Sequence, residues 1–230
     1  VWAEPQADGS PPNNWLSIFG GSAWAWHPER RQYYLHNFLK SQPDLNFHEP
    51  RVQAEALSIA QYWLERGVSG FRLDTVNFYF HDQALRSNPK STHVGNTLVP
   101  DSNPYSNQDH IYDKNRPEVI TFLEQLGHLT KQYPGTVTLG EVGAIEARSW
   151  HLINDYTQEE RLSLCYSFDL LGEHFSAQHF RKVINRSLEQ APDAWPCWAF
   201  SNHDVARTAT RLTPEGVSSE RVTRLTLSLL

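Results

Sequence analysis

Apolar and polar positions change rhythm along the chain, and the change divides it. Up to Asn46 there is little sustained periodicity: P-P-N-N-W and F-G-G-S-A-W-A-W-H-P are crowded with Trp, Pro, Gly and Asn, which predicts an irregular lobe closed by its own aromatics. Beyond it, Val52, Ala56, Ile59, Ala60 and Trp63 recur at helical spacing, and Gly67 stops that helix before a strand in V-S-G-F-R-L. Asn115 and Pro117 open a second helix through Leu126, followed by a strand T-V-T-L-G-E at 136 to 141 and a shorter helix over 146 to 154. Next come a strand in L-S-L-C-Y-S-F, a helix with Phe180, Val183, Ile184 and Leu188 on one face, a strand in C-W-A-F, and a last helix carrying Val222, Leu225 and Leu229. This alternation predicts an α/β fold with a parallel sheet, with a long strand-to-helix excursion between 75 and 115. Four such units are half of a (β/α)8 TIM barrel, whose complete form takes roughly 250 residues. A doubly wound open sheet is the alternative, but no Gly-rich phosphate loop follows any strand. An incomplete barrel is therefore expected over 47–230, with the irregular lobe over 1–46.

Composition narrows the partners. With 39% hydrophobic and 20% charged residues, the 230-residue chain reads as globular rather than disordered. A net charge of -6 and scattered Lys and Arg leave no basic face, which argues against nucleic acid or an anionic membrane surface as a partner. No signal-peptide pattern and no apolar run of eighteen residues appears within these 230 residues. Cys165 and Cys197 are too few for a disulfide framework and lack metal-ligand spacing; two buried free thiols are expected, which points to the cytoplasm. The chain starts at Val1 and stops at Leu230 inside an apolar helical pattern, so a piece of a longer protein is expected.

Three of the expected strands lead into an acid: Asp74 after F-R-L, Glu141 after T-L-G, and Asp204 after F-S-N-H. In parallel α/β folds the carboxyl ends of strands face the ligand crevice. Asp74 alone, with Arg72 two residues before it, would read as one half of a structural ion pair; three converging acids read as a site. Glycosidic cleavage needs paired carboxylates, one to protonate the leaving oxygen and one to support an oxocarbenium-like carbon. A metal site is the competing use of clustered acids. The alternating short spacings of a hard-cation loop are missing, so no metal ligands are assigned.

These residues carry a resemblance. G-F-R-L-D at 70 to 74, G-E at 140 and 141, and F-S-N-H-D at 200 to 204 resemble three ordered blocks of glycoside hydrolase family 13, the α-amylase family, and Q-P-D-L-N at 42 to 46 resembles a fourth. P-P-N-N-W, F-G-G-S-A-W and Q-Y-Y-L-H-N-F are similar to its α-glucosidase and oligo-1,6-glucosidase branch. The resemblance implies a barrel of about strands four to seven, preceded by the C-terminal part of an inserted lobe, domain B. It implies a retaining, exo-acting α-glucosidase with Asp74 as nucleophile, Glu141 as acid and then base, and Asp204 gripping sugar hydroxyls. Arg72 matches the family arginine and would hold the nucleophile charged, and His203 corresponds to a histidine that bonds a glucose hydroxyl. Phe78 is placed against the sugar. Thr75 follows the nucleophile where threonine or alanine goes with α-1,4 and valine with α-1,6 preference, so maltose-type oligosaccharides are expected, with sucrose a further candidate.

Most of the eight Trp and eleven Phe residues are assigned to packing, as are Phe47 and His48 before the first helix. Asp101, Asp109 and Asp113 in the excursion read as solvated or turn-forming residues. The family's D-x-V-x-N-H block, first-strand acid, final strand and following β-sandwich are absent from the chain; a structural Ca or Mg site, where members carry one, belongs to that earlier part, and no cofactor is expected. Half a barrel exposes sheet edges, so this chain alone is expected to be inactive and insoluble. Two alternatives stand beside the glucosidase: a transglucosidase or sucrose-cleaving and isomerising member, and a non-catalytic subunit like the heavy chains of amino-acid transporters. The last group lacks part or all of the acid set that this chain has.

Overall fold

The computed structural model describes residues 1–91, 99, 102–144, 147–158 and 160–230, and Asp101 lies outside them. In chain order its elements are β1 Trp2–Ala3, β2 Trp24–His27, β3 Gln32–Leu35, α1 Pro50–Leu64, β4 Gly70–Leu73, α2 Val119–Lys131, β5 Val137–Val142, α3 Ala147–Thr157, β6 Leu164–Ser167, α4 Ala177–Gln190, β7 Pro196–Cys197, α5 Thr208–Arg211 and α6 Ser219–Leu229. Short 3-10 turns cover Val76–Phe78 and Pro104–Asn107. Two compact units form, Val1–Ser69 with Thr75–Thr136, and Gly70–Asp74 with Val137–Leu230.

In the first unit the antiparallel sheet runs β1-β3-β2, with Trp24 opposite Leu35 and Ala3 opposite Tyr33. One face builds a core from Ala3, Trp15, Ala23, Trp24 and Leu35, in which Trp15 and Trp24 stack with centroids 5.8 Å apart. Burying two indoles demands partners for their N–H groups. Trp24 Nε1 donates to Asn13 Oδ1 at 2.8 Å, and Trp15 Nε1 donates to the Arg86 carbonyl at 2.9 Å. Asn13, Asn14 and Trp15 of the P-P-N-N-W stretch are tied to the excursion in this way. Asn13 Nδ2 donates to the Leu85 carbonyl at 2.9 Å, and Asn14 and Asn88 exchange side-chain and backbone bonds, both at 2.8 Å.

Two helices complete this unit and pack on one another. Glu49 caps α1 by accepting from the Arg51 N–H, Pro50 sits in its first turn where no N–H is missed, and Gly67 follows its end at φ 86. On α2, Phe122, Leu123 and Leu126 are buried. Phe47 stacks on Tyr79 at 4.9 Å and meets Phe122 edge-on at 5.1 Å, the packing role read from the sequence. Asp113 corrects an expectation. It is 0% exposed, not solvated, and bonds His110 Nδ1 at 2.6 Å, because the excursion folds into a buried polar cluster of its own.

The second unit holds the parallel sheet, in the order β4-β5-β6-β7. Neighbours in space follow the chain, as in a barrel wall, without the order reversal of a doubly wound sheet. Helix α3 packs on β5, β6 and α4. The last strand is shorter than C-W-A-F suggested: only Pro196 and Cys197 pair, opposite Cys165 and Tyr166. Both cysteines are unpaired thiols, Cys165 buried and Cys197 half-buried. Burial pushes the Cys165 thiol up to about 12, so it is inert. At the start of β4, Gly70 has φ 156 and lies so near β5 that an added Cβ would sit 1.9 Å from the Val137 carbonyl oxygen. Only glycine permits that approach.

Candidate active site

Strand register builds the site. Gly70 pairs with Val137, Arg72 with Leu139 and Leu73 with Gly140, while Glu141 pairs with Tyr166. Because side chains alternate, Arg72, Asp74, Glu141 and Tyr166 share one face of the sheet. The charges that a strand end could not leave unpaired have found each other. Arg72 Nη1 lies 2.6 Å from Asp74 Oδ1, and Arg72 Nη2 lies 2.7 Å from Glu141 Oε2. The second Glu141 oxygen, Oε1, accepts from the Tyr166 hydroxyl at 2.7 Å, and that hydroxyl accepts in turn from Arg72 Nη2 at 3.2 Å.

The two carboxylates occupy opposite environments. The Asp74 side chain is 71% exposed and that of Glu141 is 3% exposed. Such asymmetry is what paired nucleophile and acid roles require. Burial works against the Arg72 charge, but the hydrogen bonds to Tyr166 and Asp74 and the Glu141 charge outweigh it, and the guanidinium is held more firmly protonated than usual. Burial, then the bond to Glu141, pushes Tyr166 up to about 12, so its hydroxyl keeps its proton at any working pH.

The other expected residues lie elsewhere. Asp204 and His203 follow β7 in a turn, both largely exposed, with His203 Nε2 3.6 Å from Asp204 Oδ2 and the Asp204 N–H donating to Asn202 Oδ1 at 3.0 Å. The described contacts thus make two groups, one around Arg72 and one around Asp204. Thr75 and Phe78 belong to the first unit. Thr75 takes the left-handed conformation at φ 38, ψ 51, unusual for a β-branched residue. Phe78 is buried, its ring 5.3 Å from that of Phe38 and covered by the Lys114 ammonium at 4.7 Å. Tyr166 had no place among the expected residues; a tyrosine within an apolar strand reads as packing, and only its register with Glu141 marks it out. Among the described residues no group of three or more His, Cys, Asp or Glu side chains is arranged to hold a metal ion.

The profile described as "Alpha amylase, catalytic domain" matches residues 1–230. The chain belongs to the α-amylase family. A "Probable alpha-glucosidase" of Rhizobium meliloti (strain 1021) is 47% identical over 234 residues, covering 100% of this chain and 42% of that protein. "Maltase 1" of Drosophila virilis is 36% identical, covering 94% of this chain and 35% of that protein. Among solved structures, an α-glucosyl transfer enzyme, XgtA, superposes with TM-score 0.87 at 50% identity, over 92% of this chain and 39% of that one. The isomaltulose synthase SmuA from Protaminobacter rubrum gives TM-score 0.70 at 25% identity, over 88% and 36%. This α-amylase-family chain therefore spans about two-fifths of the length of the relatives it matches, and its parallel sheet is part of a (β/α)8 barrel.

Proposed function

We propose that the whole protein is a retaining, exo-acting α-glucosidase that removes terminal glucose from short α-1,4-linked oligosaccharides. One observation carries the reading: a single guanidinium, that of Arg72, bridges an exposed carboxylate at a strand end and a buried one on the next strand. A bridge that short suits the separation of about 5–5.5 Å that retention needs. Asp74 attacks the anomeric carbon while Glu141 gives its proton to the leaving oxygen, and the glycosidic bond breaks as the ester bond to Asp74 forms. Glu141, now ionised, takes a proton from water, whose oxygen displaces Asp74 and restores the free carboxylate. Asp204 and His203 are assigned to the sugar hydroxyls, and Thr75 to the leaving-group side. The names of the relatives support this substrate class.

A second reading rests on the 50% identity to an α-glucosyl transfer enzyme: the same intermediate, resolved by a sugar hydroxyl instead of water, gives transglucosylation or sucrose isomerisation. The full set of acids separates both readings from a non-catalytic binding subunit. The test uses the full-length protein on maltose, isomaltose and sucrose, with products followed by polarimetry and chromatography. α-Glucose should form first, and Asp74→Asn should remove nearly all turnover. Initial β-glucose would overturn retention, near-normal Asp74→Asn activity would overturn the nucleophile, and dominant oligosaccharide products would favour transfer.

A further inference from the structure

We propose that Tyr166 is a positioning residue for the Glu141 carboxyl, fixing the orientation in which the acid meets the glycosidic oxygen; this rests on the reading of Glu141 as acid and base. A glutamate on a flexible stem needs more than one anchor to hold its carboxyl plane. Here each oxygen has its own donor on a different strand, Arg72 of β4 on Oε2 at 2.7 Å and Tyr166 of β6 on Oε1 at 2.7 Å. Tyr166 is directly opposite Glu141 in the β5–β6 ladder, so backbone pairing itself sets this contact. It is buried and its hydroxyl is held in turn by Arg72 at 3.2 Å, so it has little freedom to point elsewhere.

The two anchors are not equivalent. A guanidinium only donates, whereas a phenol hydroxyl can donate or accept. Glu141 has to carry a proton in the first step and none in the second. Both anchors can donate to an unprotonated oxygen of Glu141 in either state, and the positive charge of Arg72 favours the ionised form of the second step.

The experiment is Tyr166→Phe in the full-length enzyme, which deletes one oxygen and no carbon. kcat/KM is measured on maltose and on an aryl α-glucoside whose activated leaving group needs little protonation. A hydrogen bond to a charged group corresponds to roughly 10- to 150-fold in rate. The maltose value should fall by about that factor and the aryl value by less than about threefold. The ratio of the two is unaffected by any loss of folded enzyme, which lowers both alike. Glu141→Gln is measured alongside. If Glu141→Gln is selective for maltose and Tyr166→Phe lowers both substrates equally or neither, the Tyr166 role is refuted while the acid assignment stands. If Glu141→Gln itself shows no selectivity, the acid assignment is wrong and the proposal falls with it.

Discussion

Replacing Arg72 with lysine keeps the charge and removes the fork. The guanidinium reaches Asp74 at 2.6 Å through one terminal nitrogen and Glu141 at 2.7 Å through the other, with Tyr166 at 3.2 Å from the second. A lysine ammonium is a point donor on a thinner stem and cannot hold two carboxylates on separate strands in these positions. At least one charge-assisted bond is lost. Asp74 is mostly exposed and solvent screens its share, so the bond to buried Glu141 dominates the cost, about 1.5–3 kcal/mol. If that bond is as strong in the transition state, kcat/KM falls roughly 10- to 150-fold. The assay is kcat/KM on maltose with full-length wild type and Arg72→Lys, with thermal unfolding to confirm that both are folded. A value within about threefold of wild type would show that positive charge alone suffices and that the bridge is incidental.

Two further outcomes follow from the backbone around β4. Gly70→Ala places a Cβ 1.9 Å from the Val137 carbonyl oxygen at φ 156, so it should destabilise the protein by about 2–5 kcal/mol, read as a lower denaturant midpoint; an unchanged midpoint would contradict the close β4–β5 approach. Thr75→Val exchanges a hydroxyl for a methyl while keeping β-branching, so the left-handed backbone at φ 38 is strained to the same degree in both. The isomaltose-to-maltose ratio of kcat/KM should rise about tenfold, and an unchanged ratio would place linkage choice at other residues.

Periodicity showed the alternating elements, and acids placed at strand ends marked out the candidate site, because both follow from local spacing. Arg72 and Asp74 pair across one intervening residue, so their contact could be read from alternation alone. Their link to Glu141, and that of Glu141 to Tyr166, depends on the register between strands 25 or more residues apart, which no local pattern contains. A different limit hid Asp113: His110 is only three residues away, but the burial of both comes from the fold of the excursion, which their turn-forming neighbours do not show. Strand β7 was overextended because Trp198 and Phe200 look like strand residues, while pairing with β6 ends at Cys197. The contact units were also illegible, since β4 leaves the residues on both sides of it in the chain and joins β5 by hydrogen bonds made only after folding.

The bonds from Asn13, Asn14 and Trp15 to the backbone of Leu85, Arg86 and Asn88 span 71 to 74 residues of sequence. They make two distant segments one heritable cassette. A chimera that exchanges the excursion and leaves P-P-N-N-W behind separates a bolt from its keeper: the incoming loop brings carbonyls with nothing to meet them, and buried indole and amide groups lose their acceptors. A chimera whose breakpoints carry both segments together should therefore unfold at a higher denaturant midpoint than one that splits them. Attempts to swap the loop for new specificity should transplant the asparagine pair and its tryptophan with it.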